Sequence, residues 1–391
     1  MTDKASMDYR LRRMEEKMSA NPLLELHEYG VSVWYDNIQR AMLQSGELQR
    51  LMKEGIRGMT SNPTIFKNAI VNGQEYQADI AALARQETPP IDIYESIAIA
   101  DVGAAADVLR PLFDQSQGED GYVSIEVSPF LAHETQATVE EARRLFATLQ
   151  RPNIMIKVPA TPAGLPALRT LIGEGINVNV TLLFSVPVYR QVAAAYLDGL
   201  ETYAATGGDL SQVASVASFF VSRVDVLADN LLHAQMGASA DQVQQAHLRH
   251  LQGKLAVANA KVAYQAFKEI FGTPRFWGLA DKGARAQRLL WASTGTKNRG
   301  YSDVMYVEEL IGAPTVNTMP PATIEAFKDH GRLRNSLEED VAQAEAVIAE
   351  IEAAGLSVKA ITGQLLDEGV ASFAQSFEEL LAAVEEQAQA A

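Results

Sequence analysis

The chain has 391 residues, 47% of them apolar and 21% charged, with 49 acidic against 33 basic side chains, a formal net charge of −16 and no cysteine. That composition supports a large buried core, excludes disulfides, thiolate nucleophiles and cysteine-ligated metals, and disfavours nucleic acid or an anionic membrane as partner, since both call for a basic surface. Met1 to Lys17 carry mixed charges without the apolar segment of a secretory signal, and no apolar run reaches the ~18 residues of a membrane span, so a cytoplasmic location is expected.

Residues 1–30 are expected to form a helical extension ahead of the first strand. Short β-rich runs then follow at Val31–Asp36, Ile56–Asn62, Gly121–Val127, Ile154–Pro159, Ile176–Phe184, Val213–Phe220, Leu289–Thr294 and Thr315–Met319. Helical patterns lie between them, as at Gln136–Leu149, Val188–Thr206 and Gln242–Phe271. Eight such runs are the number a closed parallel (β/α)8 barrel requires, although an open doubly wound sheet shows the same alternation. The tail, 336–391, reads as amphipathic helices packed against the outside of the barrel. No linker or long repeat divides the chain, which predicts one domain over 1–391.

Parity within the runs carries more information, because successive strand side chains point to opposite faces. In Ile154-Met155-Ile156-Lys157-Val158 the isoleucines and Val158 share one face and Lys157 lies on the other. Asn177, Asn179 and Thr181 form a polar row opposite Val178, Val180 and Leu182, and Ser124 and Glu126 form another opposite Val123 and Ile125. Each run precedes a helix that would cover its aliphatic face, so the polar rows point into the barrel. Asp36, Asn62, Glu126, Lys157, Asn179, Thr181, Ser218 and Lys297 fall late in or just after their strands, where barrel active sites form.

Lys157 stands out, since a lysine flanked by Ile156 and Val158 is costly to bury unless something uses it. Burial disfavours an ammonium, and the free amine is what attacks a carbonyl. A structural lysine that snorkels to the rim, or pairs with Glu126 or Asp36, reads equally well from these residues. Glu126 and Asp36 are candidate proton-transfer groups or simple salt-bridge partners. Ser218 and Arg223 after the sixth run and Lys297 after the seventh could bind a phosphate on the late barrel loops, or be solvated surface groups. The six histidines are scattered: His247 and His250 share a helical stretch without a carboxylate partner, so no metal site is expected. No Gly-x-Gly-x-x-Gly follows a strand, which disfavours a dinucleotide.

Taken together these segments resemble the transaldolase family. Met59-Thr60-Ser61-Asn62-Pro63-Thr64-Ile65-Phe66 is similar to one signature, Asn153-Ile154-Met155-Ile156-Lys157-Val158-Pro159-Ala160-Thr161 to the signature carrying a Schiff-base lysine, and Ile176 to Ser185 to the strand that follows it. The resemblance runs from about Asp36 to Asn317 and is closest to a longer bacterial subgroup. It implies a class I aldolase barrel, circularly permuted relative to other class I aldolases. The implied reaction transfers a dihydroxyacetone unit from sedoheptulose 7-phosphate or fructose 6-phosphate to glyceraldehyde 3-phosphate or erythrose 4-phosphate, in the non-oxidative pentose phosphate pathway.

By the same resemblance Lys157 is the nucleophile, Asp36 the acid/base for cleavage, and Glu126 acts through a water held with Thr181. Asn62 and Asn179 bind the three-carbon unit, while Ser218 and Arg223 bind the phosphate. Lys297 stands where a second phosphate arginine is expected, keeping the charge without the bidentate fork. Free-dihydroxyacetone aldolases of the fructose 6-phosphate type, the nearest alternative, have glutamine at the place of Glu126 and tyrosine at that of Phe220, and this chain sides with transaldolase at both. A barrel that binds sugar phosphate without turnover is the non-enzymatic alternative. No cofactor or metal is implied; sugar phosphates are the expected partners, for a monomer or homodimer.

Overall fold

The computed structural model describes residues 21–390. Most of the expected N-terminal extension, residues 1–20, lies outside the described residues; a short helix at Pro22–Leu26 leads into the first strand. Eight parallel strands then close into a barrel: β1 Val31–Tyr35, β2 Ile56–Thr60, β3 Val123–Glu126, β4 Ile154–Pro159, β5 Val178–Leu183, β6 Ser215–Phe220, β7 Arg288–Ala292 and β8 Thr315–Met319. Closure comes from β1 pairing with β8, with Val31 opposite Thr315 and Tyr35 opposite Met319.

All eight predicted runs are strands, but several are shorter than expected, which places Asp36 and Asn62 on the loops just beyond strand ends; Lys297 follows the seventh strand as expected. The predicted helix Gln242–Phe271 is two helices, Gln242–Leu251 and Leu255–Phe271. Gly253, at φ 68°, makes the break. Asp229 accepts from the Gly253 N–H at 2.9 Å and Asp225 from the Ala256 N–H at 2.7 Å, so side chains of the preceding helix satisfy the freed backbone groups.

The inward direction of the polar rows is visible in bonds that skip a strand. Asn179 Nδ2 on β5 donates to Ser124 Oγ on β3 at 3.0 Å, passing β4. Arg288 on β7 reaches Ser32 Oγ on β1 at 2.9 Å, passing β8. Only side chains inside the barrel can meet in this way. The interior is thus a stack of layers, with polar side chains at the N-terminal strand ends (Ser32, Arg288) as well as higher up (Ser124, Asn179).

Lower in the stack, fully buried Trp34 fills the interior beside Gly58 of β2. A Cβ at Gly58 would lie 2.6 to 2.7 Å from three atoms of the indole ring, which has no room to retreat. Gly58→Val is therefore expected to destabilise the fold by about 1–3 kcal/mol, read as a lower urea midpoint at unchanged slope.

The tail takes its expected outer position in its first helix only. Its first helix, Val341–Ala353, packs outside the barrel on Leu255–Phe271. The second, Val358–Gln389, touches both the helix Pro63–Asn72 that follows β2 and the helix Ser222–Ala238 that follows β6. In an eight-stranded barrel those lie on opposite sides, so this helix crosses the C-terminal strand ends. Gly369 allows the approach, since a Cβ there would sit 2.8 Å from Leu182. Leu182 itself has φ 54°, at an irregularity in the β5–β6 register. Thr64 Oγ1 donates to Ser376 Oγ at 2.9 Å and Lys67 pairs with Glu379 at 2.6 Å, fixing the far end.

Candidate active site

A cavity of about 420 Å³ opens at the C-terminal strand ends. Eight of the ten residues singled out from the sequence line it: Asp36, Asn62, Lys157, Thr181, Ser218, Phe220, Arg223 and Lys297. They come from β1, β2, β4, β5, β6 and β7 or the loops after them, so closure of the barrel brings them together. Glu126 stands beside Lys157 in the wall. Asn179 does not line the cavity; it is fully buried one layer below.

Lys157 is 5% exposed. Its Nζ donates to the Ser61 carbonyl at 3.0 Å and lies 3.6 Å from Glu126 Oε2. Glu126 Oε2 and Thr181 Oγ1 are both buried without a hydrogen-bond partner in the protein. Unsatisfied buried oxygens cost stability, and at a polar cavity they are places for a ligand or water.

Burial raises the Glu126 carboxyl above the usual carboxylate range, against the opposing pull of Lys157 and Arg223. The Asp36 carboxyl is also raised by burial, despite Lys157, Lys297 and Arg223. Groups raised in this way exchange protons closer to neutrality, which suits general acid/base work. Arg223, Lys297 and the Lys157 amine gather around the Asp36 and Glu126 carboxyl groups, so basic groups are concentrated in this pocket of a strongly acidic protein.

Arg223 lies between two aromatic rings, 5.2 Å from the centroid of Phe220 and 5.8 Å from that of Phe373. Asp36 and Glu126 act on its guanidinium only through space, so its donors remain available to an anion. Lys297 is exposed on the loop after β7 and completes that side. Ser218 Oγ donates to Asn179 Oδ1 at 2.6 Å, and Asn179 in turn donates to Ser124. Asn62 caps the helix Pro63–Asn72 by accepting from the Ile65 N–H at 3.0 Å, which leaves its amide N–H groups free to donate.

Phe373 is the functional residue that sequence reasoning missed. Its ring lies 5.9 Å from Lys157 Nζ and covers the cavity from the tail helix. Helical spacing alone marks it only as one more core residue. Among the described residues no group of three or more His, Cys, Asp or Glu side chains is placed to hold a metal ion. His250 is an exposed side chain beside Lys254. No described helix is long and apolar enough to cross a membrane.

A closed parallel barrel with a buried lysine, an adjacent carboxyl group and a basic cavity at the C-terminal strand ends is an enzyme of the class I aldolase type. Comparison with known proteins narrows this: the chain belongs to the Transaldolase/Fructose-6-phosphate aldolase family, which it matches over residues 33–384. It is 50% identical to Transaldolase 2 of Nostoc sp. (strain PCC 7120) over 372 residues, covering 94% of this chain and 98% of that protein. Transaldolase 1 of Streptomyces coelicolor is 48% identical, with 95% of this chain and 96% of that protein covered. The transaldolase of Trichodesmium erythraeum is 46% identical, over 94% and 98%.

Proposed function

We propose that this protein is a transaldolase acting through a Schiff base on Lys157, with sedoheptulose 7-phosphate or fructose 6-phosphate as donor and glyceraldehyde 3-phosphate or erythrose 4-phosphate as acceptor. The observation that carries the reading is the buried Lys157 amine, 3.6 Å from a carboxyl group held above its usual range, with Asp36 in the wall of the same cavity. The Lys157 amine adds to the C2 carbonyl of the donor. Glu126 gives a proton to the departing C2 hydroxyl, which leaves as water while the nitrogen lone pair forms the iminium. Asp36 then takes the C4 hydroxyl proton as the C3–C4 bond breaks. The aldehyde departs and the bond electrons move into the iminium, giving an enamine. An acceptor aldehyde reverses these steps, and water returns to release the product.

Asn62 donates to the bound three-carbon unit. Asn179 acts on that unit through Ser218, which it orients from behind the cavity wall. Arg223, held by its two aromatic neighbours, takes the phosphate together with Lys297, and the Ser218 hydroxyl donates to it by turning from Asn179. Transfer is favoured over simple release because Phe220 offers no hydroxyl to hold a water beside the enamine, and Phe373 covers the same space. The acidic surface fits a cytoplasmic protein without nucleic-acid partners.

Incubation with fructose 6-phosphate followed by borohydride is expected to fix a three-carbon adduct on Lys157, identified by peptide mass spectrometry and suppressed by excess erythrose 4-phosphate. Demonstrated sugar-phosphate binding with no adduct would remove the Schiff base and leave a binding protein.

A further inference from the structure

A second, smaller cavity of about 50 Å³ lies behind the reaction centre, lined by Glu126, Asn62, Tyr94, Ala98, Leu145 and Phe377 among others. Glu126 borders this cavity rather than the front one, and Asn62 borders both. The space exceeds the ~10–15 Å³ that one water needs. Its outer rim includes Glu95 and Glu141, which Arg144 ties together across the gap between the helices Pro90–Gln115 and Thr135–Leu149, and Ile91, 45% exposed, where the cavity reaches solvent beside that ion pair. The ring of Tyr94 narrows it, packed edge-on against Phe66 and Phe377 with centroids 5.8 and 5.4 Å away.

The proposed reaction, on which this inference rests, releases one water at the carbinolamine and takes one up at hydrolysis. Both events occur at Glu126. At those moments the sugar occupies the front cavity under Phe373, so water exchanging through the front would have to pass the substrate. We propose that the rear cavity is a water port, through which the water made and consumed at Glu126 exchanges with bulk solvent while the substrate occupies the front. When the carbinolamine collapses, the C2–O bond breaks, Glu126 supplies the proton, and the water formed leaves on the Tyr94 side. Hydrolysis runs the same steps backwards, with Glu126 recovering its proton. Burial and the carboxylates of Glu126, Glu95 and Glu141 keep the Tyr94 phenol protonated and able to donate to a passing water.

The test uses fructose 6-phosphate labelled with oxygen-18 at C2, with erythrose 4-phosphate as acceptor, and reads the label remaining in the product ketose by mass spectrometry, corrected for exchange without enzyme. The parent protein is expected to lose the label within one turnover. Ala98→Leu, which fills the port, and Ile91→Trp, which covers its rim, are expected to retain several-fold more label per turnover. Ile91 is exposed, so its variant decides the matter if Ala98→Leu does not fold. Label loss unchanged from the parent in a folded Ile91→Trp protein overturns the port. A parent protein that forms the Lys157 adduct yet keeps its label also overturns it. One that forms no adduct fails at the earlier reading, so the two failures are told apart.

Discussion

Replacing Lys157 with methionine is expected to lower transfer of the three-carbon unit by on the order of 10⁵-fold or more, and to abolish the borohydride-trapped adduct while sugar phosphate still binds. Methionine keeps the length and packing of the side chain in its buried setting but removes the nucleophile. Every covalent step passes through that nitrogen, so no neighbour can compensate. Binding survives because Arg223, Lys297 and Asn62 stand apart from the bond-forming atom. Lys157→Arg should fail equally, since a guanidinium retains its charge but does not form an imine. Initial rates in a coupled assay, with binding followed by calorimetry, separate the two effects; substantial turnover by Lys157→Met would refute the mechanism.

Asp36→Asn is expected to reduce kcat by about 10²–10⁴-fold, with a smaller change in KM. Adduct formation should continue, because imine formation belongs to Glu126, and the adduct should stall before C3–C4 cleavage. The same variant carries a stability signature of opposite sign. Burial outweighs the three nearby cations and raises the Asp36 carboxyl in the folded protein. A group raised on folding favours the native state at low pH and disfavours it as pH rises through the folded value. Asn resembles the protonated form, so Asp36→Asn should melt at a higher temperature than the parent at pH 8. That advantage should shrink as the pH is lowered and Asp36 becomes protonated. A melting difference that stays constant across the acid range would show that the carboxylate carries no such cost.

The parity of Ile154-Met155-Ile156-Lys157-Val158 was enough to turn Lys157 inward, because a strand between barrel core and covering helices leaves each side chain only two directions. The polar rows of β3 and β5 followed the same rule. What the sequence could not display depends on contacts between distant segments. The break at Gly253 is stabilised by Asp225 and Asp229, whose side chains reach it from the preceding helix. Asn179 looked like a ligand contact because its parity is correct, but parity does not give depth. Register sets it opposite Lys157, but its bonds to Ser124 and Ser218 hold its amide behind the cavity wall. Phe373 was hidden for a different reason. An amphipathic pattern says that a face is buried and not what it is buried against.

The tail helix has a consequence for when reactivity arises. Thr64 and Ser376, whose bond ties that helix across the mouth, are 312 positions apart in the chain. Joining ends so distant costs only about 0.6 kcal/mol more than joining ends half as far apart, but the bond forms only when both ends of the barrel are in place. A chain that has paired some of its strands leaves Lys157 open to water, no different from any surface lysine. Cellular sugars and their phosphates bear carbonyl groups that any reactive amine can attack. An incompletely folded copy therefore presents no specially reactive amine to them, and only the finished barrel does, in a pocket that selects what enters.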